Sequence, residues 1–280
     1  MIITKDFVMI HFPKTGTSFA RKVIKSIHAQ RISNSILSRF LIHTGLQESD
    51  IQIVKIKKWN RLTQHGSVRD IPKKHLSKEI VSIARNPFSR LLSNFHYQSW
   101  LRNPGKNGLK AQAKFENFPD LNLEEFISYR KLVLQYRFEN NPKLRNLIAS
   151  NNIGPHTVDF LEFYFQKSPQ ALLQLNDEYI TSRSYLNDMT PITFLRQENL
   201  TDDLCHFLSA KNYSINELDF IRSHDRVNVS QDDPKKSEPL WTQKAIDEVK
   251  QSERYLFEIM EHFGIDHNKY TPSANANKCG

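Results

Sequence analysis

Glycine and cysteine are both scarce in this chain of 280 residues. The 8 glycines are about 3% of the chain, against roughly 7% in average proteins, so each glycine in a turn carries more information than usual. The 2 cysteines, Cys205 and Cys279, exclude a disulfide framework and a cysteine-rich zinc site. They favour a reducing compartment, and we therefore expect a cytoplasmic protein.

Long apolar runs are absent as well. No stretch of about 18 apolar residues occurs, so the sequence predicts no transmembrane helix. Lys5 and Asp6 interrupt the first apolar stretch and leave a short run of β type, so we expect no signal peptide.

Positive charge is in excess and unevenly spread. The chain holds 39 Lys and Arg against 30 Asp and Glu, a net charge of +9. Residues 1–102 carry 18 basic and 5 acidic side chains, so this first third holds the whole excess. Such a balance predicts an anionic partner, which composition alone leaves open between nucleic acid, membrane, nucleotide and acidic glycan. With 39% hydrophobic residues, a sizeable folded core is expected.

Apolar periodicity predicts alternating strands and helices. Strands are expected at residues 7–10, 51–56, 79–85 and 192–195. Helices are expected at residues 19–28, 87–100, 123–137 and 242–263. Residues 103–120 are rich in Pro, Gly, Asn and Lys and are expected to form a loop, and residues 271–280 a disordered tail. The alternation predicts an α/β fold with a central parallel sheet flanked by helices.

The first chemical signal is a polar turn between the first strand and the first helix. Gly16 lies in this turn, and Lys14 adds a positive charge. Hydroxyl donors are available from Thr15, Thr17 and Ser18. A helix N-terminus presents unpaired N–H groups and the positive end of its dipole, so the segment predicts a phosphate site. The order of residues is not that of the nucleotide P-loop, and an ordinary turn with a solvated lysine is the alternative.

A second signal follows the strand at residues 79–85. Arg85 stands at the carboxyl end of that strand, where ligands of open α/β sheets bind. Ser93 lies about two turns into the next helix, so an arginine fork and a hydroxyl could grip a second phosphate. Arg90 is expected on a solvated face of the same helix.

Together the two motifs resemble those of the sulfotransferases that use 3′-phosphoadenosine 5′-phosphosulfate (PAPS). Residues 13–18, Pro-Lys-Thr-Gly-Thr-Ser, are similar to that family's 5′-phosphosulfate loop. Residues 85–93, Arg-Asn-Pro-Phe-Ser-Arg-Leu-Leu-Ser, are similar to its 3′-phosphate motif. Looser similarities occur at residues 194–200, 228–230 and 263–264. The branch that the chain most resembles is the carbohydrate sulfotransferases, including the uronyl 2-O type and its bacterial relatives.

The resemblance implies a single domain over residues 1–270 with a three-layer P-loop-type fold, and it implies no metal. It implies that Lys14 contacts the oxygen between the sulfuryl group and the 5′-phosphate. By the same resemblance the 5′-phosphate would be bound by Thr15, Gly16, Thr17 and Ser18. The 3′-phosphate would be bound by Arg85 and Ser93.

An acceptor hydroxyl needs a base, and histidine is the commonest choice near neutral pH. Of the 11 histidines, His65 stands out because His65-Gly66 resembles a His-Gly motif of the uronyl 2-O branch, where the histidine is the base. A surface histidine is the alternative, and His156 is a second candidate for the base or for acceptor binding. Lys57 and its basic neighbours either bind an acidic acceptor, which we expect to be a carbohydrate, or form a solvated strand end.

Two other classes of function stay open from the sequence. A small-molecule kinase would need ATP and Mg²⁺, and the missing Gly-Lys-Ser/Thr order counts against it. A basic module that binds nucleic acid would spread its Lys and Arg over an exposed stripe, whereas here they recur at strand ends. We therefore expect no nucleic-acid partner; the oligomeric state is left open.

Overall fold

The computed structural model describes residues 1–33, 40, 44, 50–58, 61–102, 104–224, 241–266 and 271–273. The chain forms two compact units, each assembled from two separate stretches of sequence. Unit 1 comprises Met1–Arg85 and Pro191–Gln231, and unit 2 comprises Asn86–Thr190 and Asp232–Gly280. The single domain expected over residues 1–270 stays a prediction. Residues 228–230, Cys279 and most of the expected tail lie outside the described residues.

All seven strands of the described residues belong to unit 1. They are β1 (Ile2–Thr4), β2 (Phe7–Met9), β3 (Ile51–Ile53), β4 (Ile56–Lys58), β5 (Arg61–Thr63), β6 (Glu79–Ala84) and β7 (Thr193–Arg196). Five form an open sheet in the order β3-β1-β2-β6-β7, and β4 pairs with β5 in a separate hairpin. The pairs β2–β6 and β6–β7 are parallel, with Val8 opposite Ile80 and Ile83 opposite Leu195. The expected α/β class is confirmed.

The expectation of a parallel sheet is wrong for the side of the sheet that contains β1 and β3. Strand β1 runs antiparallel to both β2 and β3, so the sheet is mixed. The cause is the tight turn at residues 5–6, where Thr4 Oγ1 accepts from the N–H of Phe7 at 3.1 Å and donates to its carbonyl at 3.1 Å. The polar pair that interrupts the first apolar run thus joins two strands of a hairpin.

Fourteen helices are present in the part of the chain that the structure describes. They are α1 (Thr17–Ser33), α2 (Pro87–Tyr97), α3 (Ser99–Arg102), α4 (Gly105–Gln112), α5 (Leu123–Arg137), α6 (Pro142–Ser150), α7 (Pro155–Tyr164), α8 (Ser168–Gln174), α9 (Asp177–Thr181), α10 (Tyr185–Asp188), α11 (Leu200–Ser209), α12 (Ile215–Ser223), α13 (Gln243–Ser252) and α14 (Arg254–His262). None of these helices combines the length and apolarity that a membrane span requires.

Two of the expected helices and the expected loop can be compared with the structure. The helix expected at residues 123–137 is confirmed as α5, which a capping box between Asn122 and Glu125 starts. The loop expected at residues 103–120 is wrong in part, because α4 forms there. The single last helix is also wrong, since it breaks at Glu253 into α13 and α14.

The core of unit 1 forms where α1 covers the sheet. Phe19, Val23, Ile24 and Ile27 lie on one face of α1 and are all buried. They pack in one cluster with buried residues of β2, β6, β7, α11 and α12. Burying one such side chain stabilises the fold by roughly 1.5–3 kcal/mol, so this face anchors α1 and the turn that precedes it.

Candidate functional site

The polar turn at residues 10–16 leaves β2 at its carboxyl end and enters α1. Its start is tied to β6, because the N–H of Ile10 donates to Val81 O at 2.9 Å and Ser82 Oγ donates to Ile10 O at 3.1 Å. Strands β2, β6 and β7 are parallel, so their carboxyl ends share one edge of the sheet. That edge is where open α/β sheets bind ligands.

The backbone of this turn is held in an unusual conformation. Lys14 has a φ of 67° and Gly16 a φ of 87°, both in the left-handed region. A non-glycine residue there is strained, and such strain is concentrated at functional sites. At Gly16 a side chain would also meet Leu200 Cδ2 at 3.1 Å, so this position requires glycine both for its φ and for its close packing.

The turn contains backbone donors without an internal partner. Of the described residues, none accepts a hydrogen bond from the N–H groups of residues 15–18. The hydroxyls expected to add donors are partly engaged: Thr15 Oγ1 donates to Phe12 O at 2.9 Å and Thr17 Oγ1 to the same oxygen at 3.4 Å. These two hydroxyls therefore shape the turn, and Ser18, which is partly exposed, is the remaining hydroxyl. Unpaired N–H groups at the start of a 17-residue helix are suited to bind an anion, and an anion site at this turn stays a prediction.

The structure joins the two sequence motifs through Arg85 and Lys14. Arg85 directly follows β6, is partly buried, and donates from Nη1 to the carbonyl oxygen of Lys14 at 3.2 Å. The contact spans 71 positions of sequence and lies entirely within unit 1. Ser93 lies on α2 in unit 2 and is partly buried, and its pairing with Arg85 at one phosphate stays a prediction.

The rest of the second motif has a structural role. Asn86 caps α2, since its side chain accepts from the N–H of Phe88 at 2.9 Å, and Pro87 occupies the first turn. The expectation that Arg90 lies on a solvated face is wrong. Only 3% of its surface is exposed, and its guanidinium binds Asp159 and His156 inside unit 2.

His65 lies beside the start of the polar turn at residues 10–16. Its Nδ1 is 2.9 Å from the carbonyl oxygen of His11, two residues before Pro13. A carbonyl oxygen only accepts, so Nδ1 carries the proton, and in the neutral ring Nε2 then holds the lone pair. In this tautomer Nε2 is the nitrogen that can take up a proton, as a general base must. Gly66 packs against Met1, whose Cε would lie 2.5 Å from an added side chain.

His11 itself is buried at the strand end. Burial, and then the positive charges of the N-terminus and of Arg21, holds its pKa far below the usual range. The ring is therefore neutral, and neither ring nitrogen has a hydrogen-bond partner among the described residues. His11 thus acts through its carbonyl, which orients His65.

The two candidates for acceptor binding lie in different units. Lys57 is exposed on β4 in unit 1; the side chains of Lys58 and Arg61 lie outside the described residues. His156 is buried on α7 in unit 2, with 1% of its surface exposed. A role of either residue toward an acceptor stays a prediction. In the described ranges no three His, Cys, Asp or Glu side chains converge as metal ligands.

A group of charged residues around Asp159 was not predicted from the sequence. Arg130 and Arg137 are seven positions apart on α5, and both lie near Asp159 of α7. Seven residues are close to two helical turns, so their spacing already places both arginines on one face. That spacing was the available signal.

Comparison of the chain with protein-family models, with curated protein sequences and with solved structures finds no match.

Proposed function

We propose that this chain is a sulfotransferase that moves the sulfuryl group of PAPS to a hydroxyl of a glycan or related acceptor. The observation that carries the proposal is the 3.2 Å hydrogen bond from Arg85 to the carbonyl of Lys14. It brings together two motifs that resemble the phosphate-binding motifs of one family, at the carboxyl ends of neighbouring parallel strands. A three-layer P-loop-type fold of a cytoplasmic enzyme is part of the same proposal.

Different residues of the turn bind the phosphate and stabilise the developing charge. The N–H groups of residues 15–18 and the hydroxyl of Ser18 bind the 5′-phosphate, because these N–H groups have no acceptor among the described residues. The ammonium of Lys14 stabilises the charge that develops on the bridging oxygen as its bond to sulfur breaks. Arg85 binds the 3′-phosphate through its guanidinium fork, and a contribution of Ser93 is what the sequence resemblance alone implies.

The acceptor's proton goes to His65. As the acceptor oxygen bonds to sulfur, Nε2 of His65 takes the hydroxyl proton, while Nδ1 keeps its hydrogen bond to His11 O. Transfer of this kind depends mainly on positioning and electrostatics, as phosphoryl transfer does.

A calorimetric titration tests the nucleotide part of the proposal. Adenosine 3′,5′-bisphosphate should bind more tightly than ATP, with or without Mg²⁺. Arg85→Lys should weaken the bisphosphate by about tenfold, because an ammonium cannot replace a fork that contacts both Lys14 O and a phosphate. Arg222→Gln is the matched control, since Arg222 is an exposed arginine of α12 in the same unit.

The titration can also reject the proposal. Tighter binding of MgATP than of the bisphosphate would favour the kinase alternative. Duplex DNA binding that falls steeply with salt and that the bisphosphate does not compete would favour the nucleic-acid module. The acceptor is then sought by a screen with PAPS, read by mass spectrometry as the gain of one sulfo group.

A further inference from the structure

Unit 2 contains a cavity of about 200 Å³ with two arginines in its wall. Arg130 and Arg137 face it from α5, and Asp159 faces it from α7. The apolar part of the wall includes Trp100, Phe126 and Val133. No residue of the turn at residues 10–16 lines this cavity, so binding of a ligand there is independent of sulfotransfer.

Asp159 is shared by three guanidinium groups. Arg90 Nη2 donates to Oδ2 at 3.1 Å, Arg137 Nη1 donates to Oδ1 at 3.2 Å, and Arg130 Nη2 lies 3.8 Å from Oδ2. Burial raises the pKa of Asp159, but the charges of the three arginines outweigh that effect. The net shift lowers the pKa, so the carboxylate is ionised. Arg137 also pairs with Glu162. Arg130 has the longest contact with Asp159 of the three, and Glu253 is a second carboxylate whose charge acts on it.

His156 cannot satisfy both of the arginines that flank it. Arg90 Nη1 lies 2.7 Å from Nδ1 and Arg130 Nη1 lies 2.9 Å from Nε2. A neutral imidazole has one accepting nitrogen and one N–H, whereas a guanidinium only donates. Burial and the two nearby guanidiniums hold the pKa of His156 well below its usual range, so the ring does not gain a second proton. One arginine therefore faces another donor.

The mismatch falls on Arg130. Arg90 is almost completely buried, has the shorter contact to His156 and holds Asp159, so Nδ1 is the accepting nitrogen. Nε2–H then faces Nη1 of Arg130, a residue of the cavity wall. Burial, together with the positive charge of Arg90, lowers the pKa of Arg130, while Asp159 and Glu253 oppose this shift. An acceptor atom in the cavity would satisfy Arg130 without disturbing the buried contacts of Arg90.

We infer that this cavity binds a small organic anion, a carboxylate or sulfate group carried on a single ring, through Arg130 and Arg137. Two guanidiniums from one helix face can each donate to the anionic group. The aromatic and aliphatic wall accepts the ring, as in sites where apolar side chains surround a few polar groups. The volume is below the roughly 300–1,000 Å³ of drug-sized pockets, so the ligand is one ring in size.

Benzoate is the probe, and benzamide is its neutral counterpart of the same shape. Calorimetric titration of the full chain without nucleotide should give a benzoate dissociation constant of about 0.1–1 mM, and benzamide should not bind. Arg137→Gln should weaken benzoate by about tenfold, since a charge-assisted hydrogen bond is lost. Arg130→Lys should weaken it as well, because a lysine keeps the charge but not the fork.

The variants are chosen so that misfolding cannot be mistaken for loss of the site. Arg137 is 35% exposed in its side chain, and Arg145→Gln, an exposed arginine of α6, is the matched control. Thermal unfolding without ligand shows whether each variant is folded. Equal binding of benzoate and benzamide, no binding of benzoate to the unaltered chain, or unchanged affinity in a folded Arg137→Gln variant would overturn the inference.

Discussion

The guanidinium of Arg85 holds the carbonyl oxygen of Lys14 at 3.2 Å, in a turn where Lys14 adopts a φ of 67°. Arg85, at the start of the second sequence motif, therefore supports the strained Lys14 of the first. Strain at Lys14 is useful only if its side chain is needed there, because glycine would relieve it. The stability of a Lys14 variant therefore depends on the left-handed φ, whereas its activity depends on the ammonium group.

Lys14→Gly and Lys14→Ala should differ in stability but not in activity. Alanine retains the strain of the left-handed conformation and glycine does not, so Lys14→Gly should be more stable than Lys14→Ala by about 1 kcal/mol. Both variants lose the ammonium and should transfer labelled sulfate at least about 100-fold more slowly than the unaltered chain. Denaturant unfolding gives the first quantity and a transfer assay the second. Full transfer activity in both variants would remove Lys14 from the mechanism.

His65→Asn should reduce turnover while leaving nucleotide binding and stability nearly unchanged. The Asn Nδ2 group can replace Nδ1–H as the donor to His11 O, whereas the base at Nε2 is lost. Turnover should fall by about 10²–10⁴-fold, the range for general base catalysis. Turnover is measured with saturating PAPS, and binding with the bisphosphate. A parallel loss of binding and unfolding stability would show that His65 is structural.

Acid should destabilise unit 1 through Glu217. Its hydrogen bond with Arg31, at 2.5 Å, lowers the pKa to about 2 against the opposing effect of burial, and Ser214 adds to the lowering. A depressed pKa stabilises the fold above the unfolded value of 4.5, and this contribution is lost as the pH falls from there toward about 2. Glu217→Gln should remove about 1–2 kcal/mol at pH 7, since solvent reaches Arg31, and little at pH 2. Urea unfolding at several pH values measures both, and an equal loss at pH 7 and pH 2 would contradict the assignment.

Gly154→Ala should destabilise unit 2 more than Gly105→Ala does. A side chain at Gly154 would lie 2.3 Å from Oε1 of Glu253, and that carboxylate cannot withdraw because it accepts from the N–H groups of His156 and Thr157. The loss should be about 2–4 kcal/mol. At Gly105 φ is 65°, and no atom of the described residues would lie within 4 Å of an added Cβ. Only the strain of the left-handed conformation applies there, about 1 kcal/mol. Similar unfolding midpoints for the two variants would mean that Glu253 moves aside.

Much of unit 1 could be predicted from local pattern. Strand β6 and helix α1 follow directly from their apolar periodicity, and the buried face of α1 is the predicted one. The direction of β1 could not be predicted, because a three-residue strand pairs according to the turn beside it. The break at Glu253 was missed for a different reason: the residues on both sides are good helix formers, and the carboxylate's partners lie almost 100 positions away.

By itself the sequence determined the strand–turn–helix order, the glycine in the turn, and the basic residues at the ends of two strands. These depend on periodicity and on residue chemistry over a few positions. Only the tertiary structure decided that Arg85 contacts Lys14 O, that His65 contacts His11 O, and that Arg90 is buried. It also assembled the group around Asp159. These contacts join residues from 54 to 71 positions apart or from different helices, and packing of the core brings them together.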